Sequence, residues 1–157
     1  MSLIQILLED HAFFREKFHQ MKTLGAIGDM KGTLDLKLAL THEFRQRHKI
    51  HLRRETELLI PSLNEAYRKR GIKPTDPFLL LHLQEEHISV GRNMYLLEEE
   101  LAAGPESEGW ALTLGKIIAS YIPHMEREEK GLFPEAVKYL SLKQLEKLAH
   151  TPVSEED

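Results

Sequence analysis

Two eleven-residue stretches of this chain repeat one pattern of metal-binding residue types. His51-Leu52-Arg53-Arg54-Glu55 is followed by Leu59 and Pro61, and His124-Met125-Glu126-Arg127-Glu128 by Leu132 and Pro134. A helix turns ~100° and rises ~1.5 Å per residue, so residues four apart share a face ~6 Å apart. Each H-x-x-x-E pair can therefore direct an imidazole and a carboxylate at the same ion or at adjacent ions. Two looser echoes accompany them, Glu9-Asp10-His11 and Glu85-Glu86-His87. In each, a single histidine follows two acids that helical geometry turns away from it.

The elements that must position these groups are legible from glycine, proline and apolar spacing. Breakers cluster at Gly25 to Gly32, Gly71 to Pro77 and Gly104 to Gly109. Four segments of helical length lie around them, about Ser2 to Leu24, Thr33 to Arg70, Phe78 to Ala103 and Trp110 to Leu140, with Ser2 as an N-cap. Each carries an apolar stripe at helical spacing, and His11, His51, His87 and His124 interrupt those stripes. Pro61, Pro123 and Pro134 predict kinks or breaks. The expected fold is all-α, an antiparallel up-down-up-down four-helix bundle with a short C-terminal helix after Ser141. Residues 1–150 form the domain and 151–157 an acidic, frayed tail.

A ruler of ~1.5 Å per residue places the four histidines ~20–27 Å from the same end of an alternating bundle. Six ionisable groups at one level of a core, His11, His51, Glu55, His87, His124 and Glu128, make a dinuclear metal site. Carboxylates bridge naturally, and two metals in such sites sit ~3.5–4 Å apart. Glu55 and Glu128 are assigned as bridges by geometry. Mixed imidazole and carboxylate ligation suits iron, manganese or zinc rather than magnesium or calcium. A lone histidine on an apolar stripe is more often a hydrogen-bonded core residue, and that reading goes to His19, His42, His48, His82 and His150. Of these, His48 stands one turn before His51. Arg54 and Arg127 are expected to face outward, and Tyr121 serves either as a hydrogen-bond donor behind the metal or as plain packing. Without metal, Glu55 and Glu128 would be like charges in a confined core, which should raise their pKa values.

Composition removes other chemistries. The chain has no cysteine, so disulfides, thiolate zinc sites and cysteine nucleophiles are excluded. A net charge of −4 gives no global reason to expect nucleic acid. The basic run Arg45, Arg47, Lys49, Arg53, Arg54 reads as a solvated helix face. With 157 residues, one domain with a full core is expected. No apolar run approaches the ~20 residues of a membrane span. The N-terminus lacks the features of a signal peptide, so a soluble cytoplasmic protein without a membrane partner is expected.

These residues resemble the hemerythrin superfamily, specifically its HHE cation-binding branch. The resemblance rests on Asp10-His11, on HLRRETELLIP at His51–Pro61, on Glu85-Glu86-His87 and on HMEREEKGLFP at His124–Pro134, and covers about residues 2–140. It implies an antiparallel bundle around a non-haem di-iron centre that meets oxygen, nitric oxide or peroxide. Oxygen-carrying hemerythrins have a second histidine four residues after the first on the third helix, where this chain has Gly91. Their last carboxylate is an aspartate five residues after its histidine, whereas Glu128 stands at four. The implied site is symmetric and less saturated, with His11 and His51 on one metal and His87 and His124 on the other. That favours binding or sensing of oxygen or nitric oxide over reversible oxygen carriage. The alternative is a redox enzyme acting on peroxide, nitric oxide or ferrous iron, or a protein of iron handling or iron-centre repair. Gly91 either lies beside the metal of His87 or lets two helices approach closely.

Overall fold

A computed structural model describes residues 1–27, 33–102 and 109–155. The chain forms α1 (Leu3–Ile27), α2 (Thr33–Arg53), a wide turn π1 (Arg54–Leu59) and α3 (Ile60–Arg70). Next come α4 (Leu79–Ala102), α5 (Gly109–Arg127), a second wide turn π2 (Glu128–Leu132), α6 (Phe133–Tyr139) and α7 (Leu142–Ala149). α2, π1 and α3 run on without a break, as do α5, π2 and α6, so four long rods and one short helix result. α1 packs on α2, α2 on α4, α4 on α5 and α5 back on α1, closing the bundle. Among the described residues no helix is long and apolar enough to cross a membrane.

Local signals set the ends. Ser2 accepts a hydrogen bond from the Gln5 amide at 3.3 Å while its own amide donates to Gln5 Oε1 at 2.7 Å. Ser141 and Gln144 repeat that reciprocal cap at the start of α7. Gly71 ends α3 with φ +63°, a left-handed conformation that a Cβ would strain. Of the expected C-terminal tail, residues 151–154 do not hang free. Val153 packs on the core, Ser154 offers its amide and hydroxyl to Glu57 at 2.9 and 2.5 Å, and Arg53 donates to the Ser154 carbonyl.

The prolines were expected to kink or break helices, and instead two of them accompany wide turns. Ile60 N–H bonds to the Glu55 carbonyl and Phe133 N–H to the Glu128 carbonyl, five residues back rather than four. Pro61 and Pro134 follow immediately, each lacking the N–H an ordinary turn would use. The wide turns also solve a register problem. Positions 51, 55, 59, 63 and 67 are all buried, as are 124, 128, 132, 136 and 140. Four residues of α-helix advance ~40° past a full turn, so four such steps would carry a side chain ~160° away from the core. A π turn takes up more residues and holds the stripe inward. Pro123 stands inside α5, which runs through it.

The core is divided. Leu3, Leu7, Leu59, Leu63, Leu83, Leu132 and Phe133 pack in one apolar cluster. Phe14, Phe44, Val90, Leu97, Trp110, Ile117 and Tyr121 belong to another. Between them in sequence, on all four rods, lie buried ionisable residues: Asp10 and His11, His51 and Glu55, His87, and His124 and Glu128. Gly91 is exposed, and nothing lies within 4 Å of where its Cβ would be, so it does not serve a close helix approach. Gly91→Ala should therefore stabilise the protein by about 0.5–1 kcal/mol through helix propensity alone. A higher urea midpoint at constant m-value would show this, and a fall would mean that position 91 is packed.

Candidate metal centre

The structure brings all six sequence-derived residues into one buried layer. His11, His51, Glu55 and Glu128 offer ligand atoms that lie within 4.8 Å of one another, and Glu55, His87, His124 and Glu128 do likewise. Both carboxylates belong to both groups. Glu55 places Oε1 2.8 Å from His51 Nε2 and Oε2 3.0 Å from His87 Nε2. Glu128 Oε1 lies 3.2 Å from both His11 Nε2 and His124 Nε2. His19, His42, His82 and His150 are exposed and stand outside the cluster.

Several of these close pairs are not hydrogen bonds. His51 Nε2, His87 Nε2, His124 Nε2 and both Glu55 oxygens are buried without a hydrogen-bond partner, despite separations near 3 Å. Lone pairs aimed at a common point, rather than at each other, give that geometry. Two donors held at right angles ~2.1 Å from one cation would sit ~3 Å apart. Orphaned buried polar atoms are costly, and a cation satisfies all of them at once. Nitrogen and oxygen donors in this ratio fit a transition metal.

The outer contacts were misread from the sequence. The acid before each single histidine turns away from that histidine, but it meets the histidine of the next rod. Asp10, fully buried, accepts from His51 Nδ1 at 3.0 Å and from Arg47 Nε at 2.5 Å, with Arg54 3.4 Å away. Glu86 accepts from His124 Nδ1 at 3.1 Å and from Arg127 Nε at 2.9 Å. Arg54 and Arg127, expected to face outward, thus clamp the carboxylates that orient His51 and His124. Glu129 lies 3.6 Å from His11 Nδ1 and is gripped by Arg15 at 2.6 and 2.9 Å. The repeated signal was available: an acid stands before each single histidine and an arginine three residues after each paired one. The basic run was read as a solvated face, yet Arg45, Arg47, Arg53 and Arg54 all have acceptors, on Glu98, Asp10, Ser154 and Asp10.

The charges of the metal-free layer also differ from expectation. Burial works against ionised Glu128, but the neighbouring Glu55, His11, His124 and His51 side chains outweigh it and hold its pKa well below 4.5. Burial works against charged His51, and the Glu55 charge with Asp10 and Glu128 overcomes it, holding its pKa well above 6.5. His124 is raised likewise, burial being outweighed by Glu128, Glu55 and Glu86. Glu128 therefore does not behave as one of two repelling carboxylates with a raised pKa, because histidines neutralise it. Burial lowers His48 to about 3, with the neighbouring His51, His87 and His124 adding to the effect. Burial also pushes the Tyr121 phenol far above 10, helped by Glu128 and Glu55.

Two outcomes follow. Raised histidines contribute stability that is complete below pH 6.5 and is lost as pH rises through their folded pKa values. Depressed Glu128 contributes stability present above pH 4.5 and lost as pH falls. Buried His48, lowered to about 3, adds a loss as pH falls below 6.5, so metal-free protein should be most stable near pH 6.5 and lose stability towards alkaline pH, measured by thermal melts in low salt. A flat profile above pH 6.5 would contradict protonated histidines. Separately, Asp10→Asn should weaken metal affinity about 10–100-fold by loosening His51, measured by competition with a chelator.

No curated protein and no solved structure matches the chain. A family model does, that of the hemerythrin HHE cation-binding domain, over residues 2–136. With that match spanning most of the sequence, the chain belongs to the hemerythrin HHE cation-binding family.

Proposed function

We propose that this is a non-haem di-iron protein that binds or senses oxygen or nitric oxide. In this reading His11 and His51 hold one ion, His87 and His124 hold the other, and Glu55 and Glu128 lie between. The observation that carries it is Glu55, whose two oxygens face imidazoles of opposite pairs at 2.8 and 3.0 Å without hydrogen bonding to either. Membership of a cation-binding family and a nitrogen-rich donor set support iron, with manganese or zinc as the competing occupants. When bound, such a pair supplies redox equivalents and open positions for a small ligand.

The chain's own residues do the positioning. Asp10 and Glu86 fix the Nδ1 face of His51 and His124, leaving each Nε2 pointing inward. Phe14 stands edge-on to His51 at 5.2 Å and Phe133 lies 5.3 Å from His11, apolar walls that keep bulk water off the layer. The symmetric ligand set supports binding or sensing over an oxygen-carrier role.

Protein reconstituted with ferrous iron without oxygen should hold about two ions per chain. His51→Ala or His124→Ala should lose at least one of them, while His42→Ala and His150→Ala should retain both, read by elemental analysis. A stoichiometry near zero, or equal losses in all four variants, defeats the assignment. Azide or nitric oxide should then change the visible spectrum of the loaded protein, and steady turnover of peroxide would move the reading towards an enzyme.

A further inference from the structure

Among the described residues, two buried polar atoms beside the centre have no protein partner and lie outside the six clustered side chains. The Tyr121 hydroxyl and His48 Nε2 are both enclosed and unbonded. Tyr121 is fully buried and His48 is 5 % exposed, their ring centroids 5.3 Å apart. Among the described residues none of the side chains around them makes a hydrogen bond to either atom. Phe14, Phe18 and Phe44 pack around the phenol with ring centroids 5.6, 5.7 and 6.0 Å away, and Phe44 stacks on His48. Leaving a buried hydroxyl unpaired is costly, and evolution could remove that cost by one atom, as phenylalanine. The retained oxygen implies an occupant that the polypeptide does not supply.

Position narrows what that occupant is. Tyr121 lies 5.4 Å from the His124 ring, and His48 stands one turn before His51 on α2, so the pair adjoins one histidine of each half of the layer. It does so on the side of the Phe14 and Phe44 cluster, whereas Phe133 covers His11 from the opposite cluster. A phenol donates one hydrogen bond, and an imidazole nitrogen either accepts or donates one.

We propose that Tyr121 and His48 form the polar wall of the small-ligand position, hydrogen-bonding a small anion or hydroperoxide-like molecule that carries oxygen or nitrogen lone pairs. This inference rests on the di-iron reading above and deepens it, because it adds hydrogen-bonding partners for the ligand to the two metal positions. Tyr121 and His48 are positioning residues for the ligand and leave metal loading to the six inner side chains.

The test uses azide as probe on iron-loaded wild type, Tyr121→Phe and His48→Phe, both variants keeping an aromatic ring in place. Both should load iron as wild type does, and metal-free Tyr121→Phe should melt no lower than wild type, since its hydroxyl has no protein partner. Azide should bind about five- to tenfold more weakly to each, the equivalent of one hydrogen bond. The deuterium sensitivity of the bound-azide stretch should fall in Tyr121→Phe and in His48→Phe, each variant removing one exchangeable donor. Unchanged affinity in iron-loaded variants overturns the proposal while leaving the di-iron reading intact. A lower metal-free melting temperature with unchanged azide binding also overturns it, by showing a structural hydroxyl. A tyrosinate charge-transfer band in the wild type, or iron loss in Tyr121→Phe, overturns it in favour of direct ligation. Wild type that takes up no iron removes both readings.

Discussion

Everything in this bundle answers to one constraint, the burial of ionisable side chains at mid-height in a helical core. Glu55, Glu128, His11 and His124 are completely enclosed, and isolated charges there would be prohibitive. The layer tolerates them because opposite charges or a cation stand among them, and because a second ring of acids and arginines fixes their outer edges. Arg47, Arg54 and Arg127 reach inward from half-exposed positions, so the charge of the layer is balanced from the surface as well as the centre. The apolar clusters on either side then supply the stability that this layer does not.

The backbone bends to the same requirement. An α-helix cannot keep residues at successive intervals of four on one face for long, yet the second and fourth rods do so through five positions each. The π turns begin at or just before the glutamate in both rods, and the proline six residues after the glutamate closes each of them. Wide turns place Glu55 and Glu128 where their oxygens span the layer and still return Leu59, Leu63, Leu132 and Ala136 to the core. The cost of poorer hydrogen-bond geometry is confined to one turn per rod.

Much of this was legible in the sequence. Helical spacing, the Gly/Pro clusters and the caps at Ser2 and Ser141 fixed four rods and a short helix, and the repeated H-x-x-x-E motifs marked the residues that meet. Three features were not legible, each for a physical reason. Helix periodicity assumes ~100° per residue, so it treats a proline as a break and cannot see the π turn that accommodates it. Judging Asp10 and Glu86 against their own helix hid their partners, which lie on the neighbouring rod. Counting Glu55 and Glu128 as a bare pair ignored the imidazoles that act as counter-ions when no metal is present.

The layer is also assembled from two like halves. The rod pair of α1 and α2 contributes His11, His51 and, in π1, Glu55, with Asp10 and Arg54 behind them. The pair of α4 and α5 contributes His87, His124 and, at the start of π2, Glu128, with Glu86 and Arg127 behind. Each half keeps its imidazoles together but lends its glutamate across the divide, Glu55 to His87 and Glu128 to His11. Neither helical hairpin completes a donor set alone. Any cation seated in one half would meet a carboxylate lent by the other, and that carboxylate also faces the imidazoles of its own half. The two positions thus share both carboxylates, and a shift of either one is felt at both.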